Sequence, residues 1–210
     1  MRTSQTRRLV DVELTLPTEP IPADVAALMA DAKERIDELE DKSRATMPAF
    51  VPSDFQLSYR ALAAIQAANL ATGRRFLEWG SGIGVVACLA AQLGFDAIGI
   101  EIESPLVEIA DELAAAHDLD AEFICGSFVP HGTEVTVGTA DDFAWLSTTG
   151  PVAYDDLDLE PNDFDLIFAY PWPGEEQIIF DLFAGHAATG ALLLTYHGIE
   201  GVRLQRKTKR

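Results

Sequence analysis

Between Phe76 and Val202 the chain contains no lysine and no arginine, yet it carries 23 aspartates and glutamates there. All 15 basic residues fall in residues 2–75 or 203–210, against 34 acidic residues overall and a net charge of −19. Nucleic-acid binding replaces condensed counterions with clustered Lys and Arg, so an acidic body argues against that partner, and none is expected. A pyrophosphate or triphosphate also needs a cationic clamp. A neutral or cationic substrate, whether a small molecule or a protein side chain, suits this charge better. Acidity also serves solubility alone, so net charge by itself names no substrate. The basic tail "RLQRKTKR" (203–210) reads as a solvated terminus or a contact for an acidic partner.

Other absences narrow the class further. Cysteine occurs only as Cys88 and Cys125, both within apolar stretches; this is no disulfide framework, and both read as core residues of a reduced, cytoplasmic protein. No run of about 18 apolar residues exists, so no membrane span is expected. The start, "MRTSQTRRLVDVELTLP", lacks the apolar stretch of a signal peptide. His117, His131, His186 and His197 show no metal-ligand spacing, and no metal is expected.

What is present reads as an α/β protein. The length of 210 residues suits one domain with an appendage. Residues 1–50 read as an N-terminal strand and helix extension, with "VELTL" (12–16) as an edge strand closed by Pro17 and an amphipathic helix over 23–42. Residues 51–210 form the main domain. A helix over roughly 54–71, capped by Ser53 or Asp54, precedes strands at 75–79, 97–101, 121–125, 165–169 and 191–196, with "VRLQR" as a short last strand. Helices alternate with them at 83–93, at 104–118 with Ser104 as cap and Pro105 at the first position, and at 175–187. Such alternation predicts a doubly wound, mostly parallel sheet. The stretch 127–162 breaks it as an insertion, with "GTEVTVG" as a small hairpin arm and "DDLDLEPND" as an acidic loop; a connection this long tends to be functional.

The chemistry centres on "FLEWGSGIGVVA" (76–87), where Gly80, Gly82 and Gly84 follow a strand and open a helix. A triphosphate loop needs a lysine after its last glycine, and none is present. "GIGVVA" (82–87) does match the dinucleotide pattern. Glu78 tips the balance, because a carboxylate at the mouth of the turn repels pyrophosphate and welcomes a cationic amino group. Glu101, at the end of the next strand, is placed to accept both ribose hydroxyls of either nucleotide.

These residues resemble the class I S-adenosylmethionine-dependent methyltransferases, whose fold is Rossmann-like. "EWGSGIG" is similar to their first motif and "GIEIE" to their second, while "EFICGSF" sits where the family contacts adenine, with Ser127 in place of the usual Asp. The resemblance covers roughly residues 73–200. It implies S-adenosylmethionine as cofactor, held by Glu78, Gly80, Ser81, Gly82, Gly84, Glu101, Ile102, Ser127 and Phe128. In "AYPWPGEE" (169–176), amine methyltransferases of the family often carry an acid or amide where Tyr170 stands. Tyr170 and Glu175 are expected at the catalytic position, and Trp172, Glu176 and His197 near the substrate. Tyr170 and Trp172 offer cation–π faces worth about 0.5–2 kcal/mol to a cationic amine. Pro52, Phe55 and Tyr59 either close over the cofactor or simply pack. Two other readings stay open: a non-catalytic cofactor- or partner-binding module, and an NAD(P)-dependent oxidoreductase.

Overall fold

The sheet is built on three strands whose residues are almost all apolar and buried on both faces, the pattern of parallel strands covered from both sides. A computed structural model describes residues 8–43, 51–133 and 151–209. Along the chain it places β1 (Arg8–Asp11), α1 (Ala23–Ser43), α2 (Phe55–Ala67), β2 (Arg75–Trp79), α3 (Val85–Gln92), β3 (Asp96–Glu101) and α4 (Ser104–Ala116). There follow β4 (Ala121–Cys125), the single turn α5 (Tyr154–Leu157), β5 (Leu166–Ala169), α6 (Glu176–His186), β6 (Leu192–Tyr196) and β7 (Val202–Thr208). The three buried strands are β2, β5 and β6.

The strand order is β1-β7-β6-β5-β2-β3-β4. Strands β2 to β6 run parallel, while β7 is antiparallel to both β6 and β1. Successive side chains of a strand face opposite sides of the sheet. Phe76, Phe168 and Leu194 accordingly join one core with Leu28 of α1, Leu62 of α2, Leu89 of α3 and Leu113 of α4. Leu77, Ile167 and Leu193 join the other, with Ile179 and Phe183 of α6 and Tyr154 of α5. The N-terminal helix thus shares the main core. The order of strand addition reverses between the parallel neighbours β2 and β5, each the start of a run outward in opposite directions. The crevice beyond their carboxyl ends is where open α/β sheets bind ligands.

The doubly wound sheet appears as expected, with local corrections. The edge strand lies at 8–11 rather than 12–16: Val12, Leu14 and Leu16 do alternate onto the core, but past the Val12 amide, which donates to Leu204 O at 2.8 Å, they have no partner strand. Apolar alternation reported burial there, not pairing. The "RLQRKTKR" tail is mostly β7, built into the sheet instead of solvated. Asp54, not Ser53, caps α2 by accepting from the Leu57 amide at 3.0 Å, and Glu103 precedes α4 where Ser104 was expected. Cys88 is buried, but Cys125 is exposed at the end of β4, which closes one edge of the sheet. Most of "GTEVTVG", at 134–138, lies outside the described residues. Among the described residues no helix is long and apolar enough to cross a membrane, and no cluster of His, Cys, Asp and Glu has a metal-binding arrangement.

Candidate active site

The turn from β2 into α3 uses its three glycines for three different reasons. All have left-handed backbones, with φ of +70° at Gly80, +54° at Gly82 and +74° at Gly84, a region costly for other residues. At Gly80 an added Cβ would meet nothing within 4 Å, so the backbone is bare toward the crevice. Gly82 turns its amide onto the Glu101 carboxylate at 2.8 Å. Gly84 instead serves packing: a Cβ there would run into the Phe123 ring and lie 2.8 Å from Ala110 Cβ. It does not line the crevice, so its assignment to cofactor contact is corrected to helix–sheet packing.

Two buried carboxylates flank this turn. Glu78 shares a face with Phe76, beneath α3, and accepts the Ala87 amide at 2.8 Å. An acid there satisfies one of the unpaired N–H groups at a helix start and complements the helix dipole. Burial pushes its carboxyl well above the usual range; the Ala87 hydrogen bond pulls it down, and the nearby Glu101 charge pushes it up again. The Cys88 thiol, buried near Glu78, is pushed up to about 12 and is inert. Glu101 accepts three amides: Gly82 at 2.8 Å on one oxygen, Ile102 at 2.7 Å and Glu103 at 3.0 Å on the other. A carboxylate has about four acceptor positions, so about one stays open for a ligand hydroxyl without rearrangement. Between the acids, Ser81 is buried and its Oγ has no hydrogen-bond partner.

Around these groups lies a cavity of about 520 Å³. Gly126, Ser127 and Phe128 form its side beyond β4, and Phe128 stacks on Trp79 with ring centroids 5.3 Å apart. Tyr170, Trp172 and the buried Glu175 line it beyond β5, and Pro52 and Phe55 cover it from the start of α2. Tyr170 meets Tyr196 edge-on at 4.8 Å. Among the described residues the lining includes the carboxylates of Glu78, Glu101, Glu103 and Glu175 but no lysine, arginine or histidine.

Glu78, Gly80, Ser81, Gly82, Glu101, Ile102, Ser127, Phe128, Tyr170, Trp172 and Glu175 therefore share one cavity, from sequence positions nearly a hundred residues apart. His197 and Glu176 do not line it. The His197 ring folds back on its own strand, Nε2 lying 2.8 Å from Thr195 Oγ1, and Glu176 accepts the Gly174 amide at 2.8 Å at the head of its helix. Sequence reasoning missed Trp79 and the partner of its indole, Tyr154, whose hydroxyl accepts that N–H at 2.9 Å. An aromatic residue inside the glycine motif was the available signal for Trp79; nothing local announced Tyr154.

No protein-family model matches the chain, and no curated protein matches it. Solved structures share its architecture. One is a methyltransferase from Geobacter sulfurreducens, with a TM-score of 0.54 and 13% identity, covering 90% of this chain and 92% of that one. Another is an RNA methyltransferase from Salinibacter ruber in complex with S-adenosyl-L-homocysteine, with a TM-score of 0.52 and 16% identity over 76% of this chain and 95% of that one. An O-methyltransferase from Bacillus cereus, in complex with the same compound, has a TM-score of 0.50 and 16% identity over 85% of this chain and 67% of that one. The chain has the Rossmann-like class I methyltransferase fold.

Proposed function

We propose that this chain binds S-adenosylmethionine beyond β2, β3 and β4 and transfers its methyl group to a nucleophile, foremost an amine, on a neutral or cationic small molecule or protein side chain. The observation that carries the reading is the donor set of the cavity. A bare Gly80 backbone and two buried carboxylates, Glu78 and Glu101, line it, with no cationic side chain among the described lining residues. That set suits a nucleoside bearing positive charge and repels one carrying phosphate. The S-adenosyl-L-homocysteine held by the Salinibacter ruber and Bacillus cereus structures of the same fold supports it.

In this reading Glu101 receives a ribose hydroxyl, Glu78 faces the amino-acid portion, and the Gly126–Phe128 turn meets the base. When bound, the cofactor supplies an electrophilic methyl group. The chain then aims a nucleophile and keeps water out, which Pro52, Phe55 and Trp172 do by walling the cavity. Tyr170 and Trp172 hold the acceptor against their faces, and Glu175 is the carboxylate positioned to take a proton from it. Nucleic-acid acceptors are disfavoured despite the RNA methyltransferase relative in fold, because the body offers no cations for phosphates. A second reading, a non-catalytic module that keeps the cofactor, is favoured by Tyr170, an aromatic packed on Tyr196 where amine methyltransferases often carry an acid or amide.

Calorimetry with S-adenosylmethionine, S-adenosylhomocysteine, NAD and NADP tests the cofactor. Micromolar binding of the first two alone is expected; binding of only the dinucleotides would sink the proposal. Labelled methyl transfer to proteins or amines of a cell lysate then separates an enzyme from a binding module.

A further inference from the structure

We infer that residues 151–154, where the 127–162 excursion returns to the sheet, form part of the cofactor site by holding its two-ring wall, with Tyr154 as the positioning residue. The inference rests on reading the cavity as a nucleoside cofactor site. Both rings of the wall are tied to this one short segment. Trp79 is buried and donates its indole N–H to the buried Tyr154 hydroxyl at 2.9 Å. An indole has a single donor, so in a water-free setting only one tilt of the ring satisfies it.

Phe128 is fixed from the same side through its neighbour. Ser127 pairs with Val152 in a parallel bridge: the Ser127 amide donates to Pro151 O at 2.9 Å, and the Ala153 amide donates to Ser127 O at 3.0 Å. The approach is so close that a Cβ on Gly126 would lie 2.9 Å from Pro151 O, which is why glycine stands there. Phe128 then lies nearly parallel to Trp79, at 11°, half-buried over a buried backing ring. A flat heteroaromatic ring entering the cavity meets a surface whose tilt is set from Tyr154.

The test is the affinity for S-adenosylhomocysteine of the full chain and three variants: Tyr154→Phe, Trp79→Phe and the double variant. Tyr154→Phe is expected to weaken binding fivefold or more, and less than twofold further once Trp79 is Phe, because the hydroxyl acts only through the indole. The indole ¹⁵N–¹H signal of Trp79, recognised by its loss in Trp79→Phe, is expected to shift both in Tyr154→Phe and on ligand addition to the wild type. Unchanged affinity in Tyr154→Phe, or an equal loss in both backgrounds, overturns the inference alone. Wild-type protein that binds no S-adenosyl compound overturns the functional reading and this inference together. Were Tyr154→Phe unfolded at the assay temperature, Trp79→Phe, which removes the same hydrogen bond from its other end, decides by the same fivefold criterion.

Discussion

At the β7 edge, charge is answered by the protein itself. Arg206 donates to Leu70 O and Gly190 O, the buried Lys207 ammonium donates to Ala187 O at the end of α6, and Arg203 forks onto Asp11 of β1. At the carboxyl ends of β2 and β3 the account is left open. Glu78 receives one amide and Glu101 three, and four carboxylates line a cavity with no cation among its described lining residues. Basic residues in the first region hold the fold; acidic residues in the second wait for something from outside. The β7 region also holds a buried atom without a partner, Gln205 Oε1, so what sets the second region apart is acidic side chains lining a cavity with no cationic side chain among its described residues.

Variants that separate stability from ligand affinity can break this contrast. Gly84→Ala should have the largest effect, destabilising by about 2–5 kcal/mol from left-handed strain plus overpacking against Phe123 and Ala110, read by chemical denaturation. Lys207→Met should cost about 1–3 kcal/mol by leaving the Ala187 carbonyl unpaired, while S-adenosylhomocysteine affinity stays within twofold. A loss of affinity there would show that the edge is not merely structural. Gly80→Ala should cost only about 1–2 kcal/mol, since open space receives its Cβ, yet weaken ligand binding tenfold or more in calorimetry.

Glu78→Gln should give the smallest change in stability and one of opposite sign. The folded protein holds the Glu78 proton more tightly than the unfolded chain does. Stability from this group is therefore present below the ordinary carboxylate range and is lost as pH rises through the raised folded value. At pH 8 the neutral amide should raise the melting temperature by about 2–4 °C, the shift that ~1 kcal/mol gives at this size. At pH 4 that gain should vanish. Affinity for S-adenosylmethionine should fall at the same time, because the cation loses its counter-charge; a variant that gains stability and keeps affinity would place the cationic group elsewhere.

The sequence made the alternating units, the glycine turn and its two acids legible because each is a local pattern. A strand–turn–helix needs its glycines within a few residues, and Glu78 and Glu101 sit at strand ends that apolar periodicity marks. Gly84 was misassigned because its constraint, Phe123, lies on another strand. His197 and Glu176 were placed by proximity to strand ends, but rotamer choice sent both side chains to partners of their own. The contact between Trp79 and Tyr154 spans 75 residues and one departure from the sheet, beyond the reach of any periodicity.

Strand β1 has a consequence for the order of assembly. Arg8 to Asp11 are synthesised well before the strand they pair with, Gln205 to Thr208, which follows almost 200 positions later. Until then "RLVD" has no edge to join, and the sheet from β4 to β6 must form without it. Contacts this far apart in sequence close slowly. A bulky fusion that keeps residue 8 from docking is expected to leave β7 as a bare edge, open to pairing with another chain. Of the described strands, β1 is synthesised before the others and docked after them.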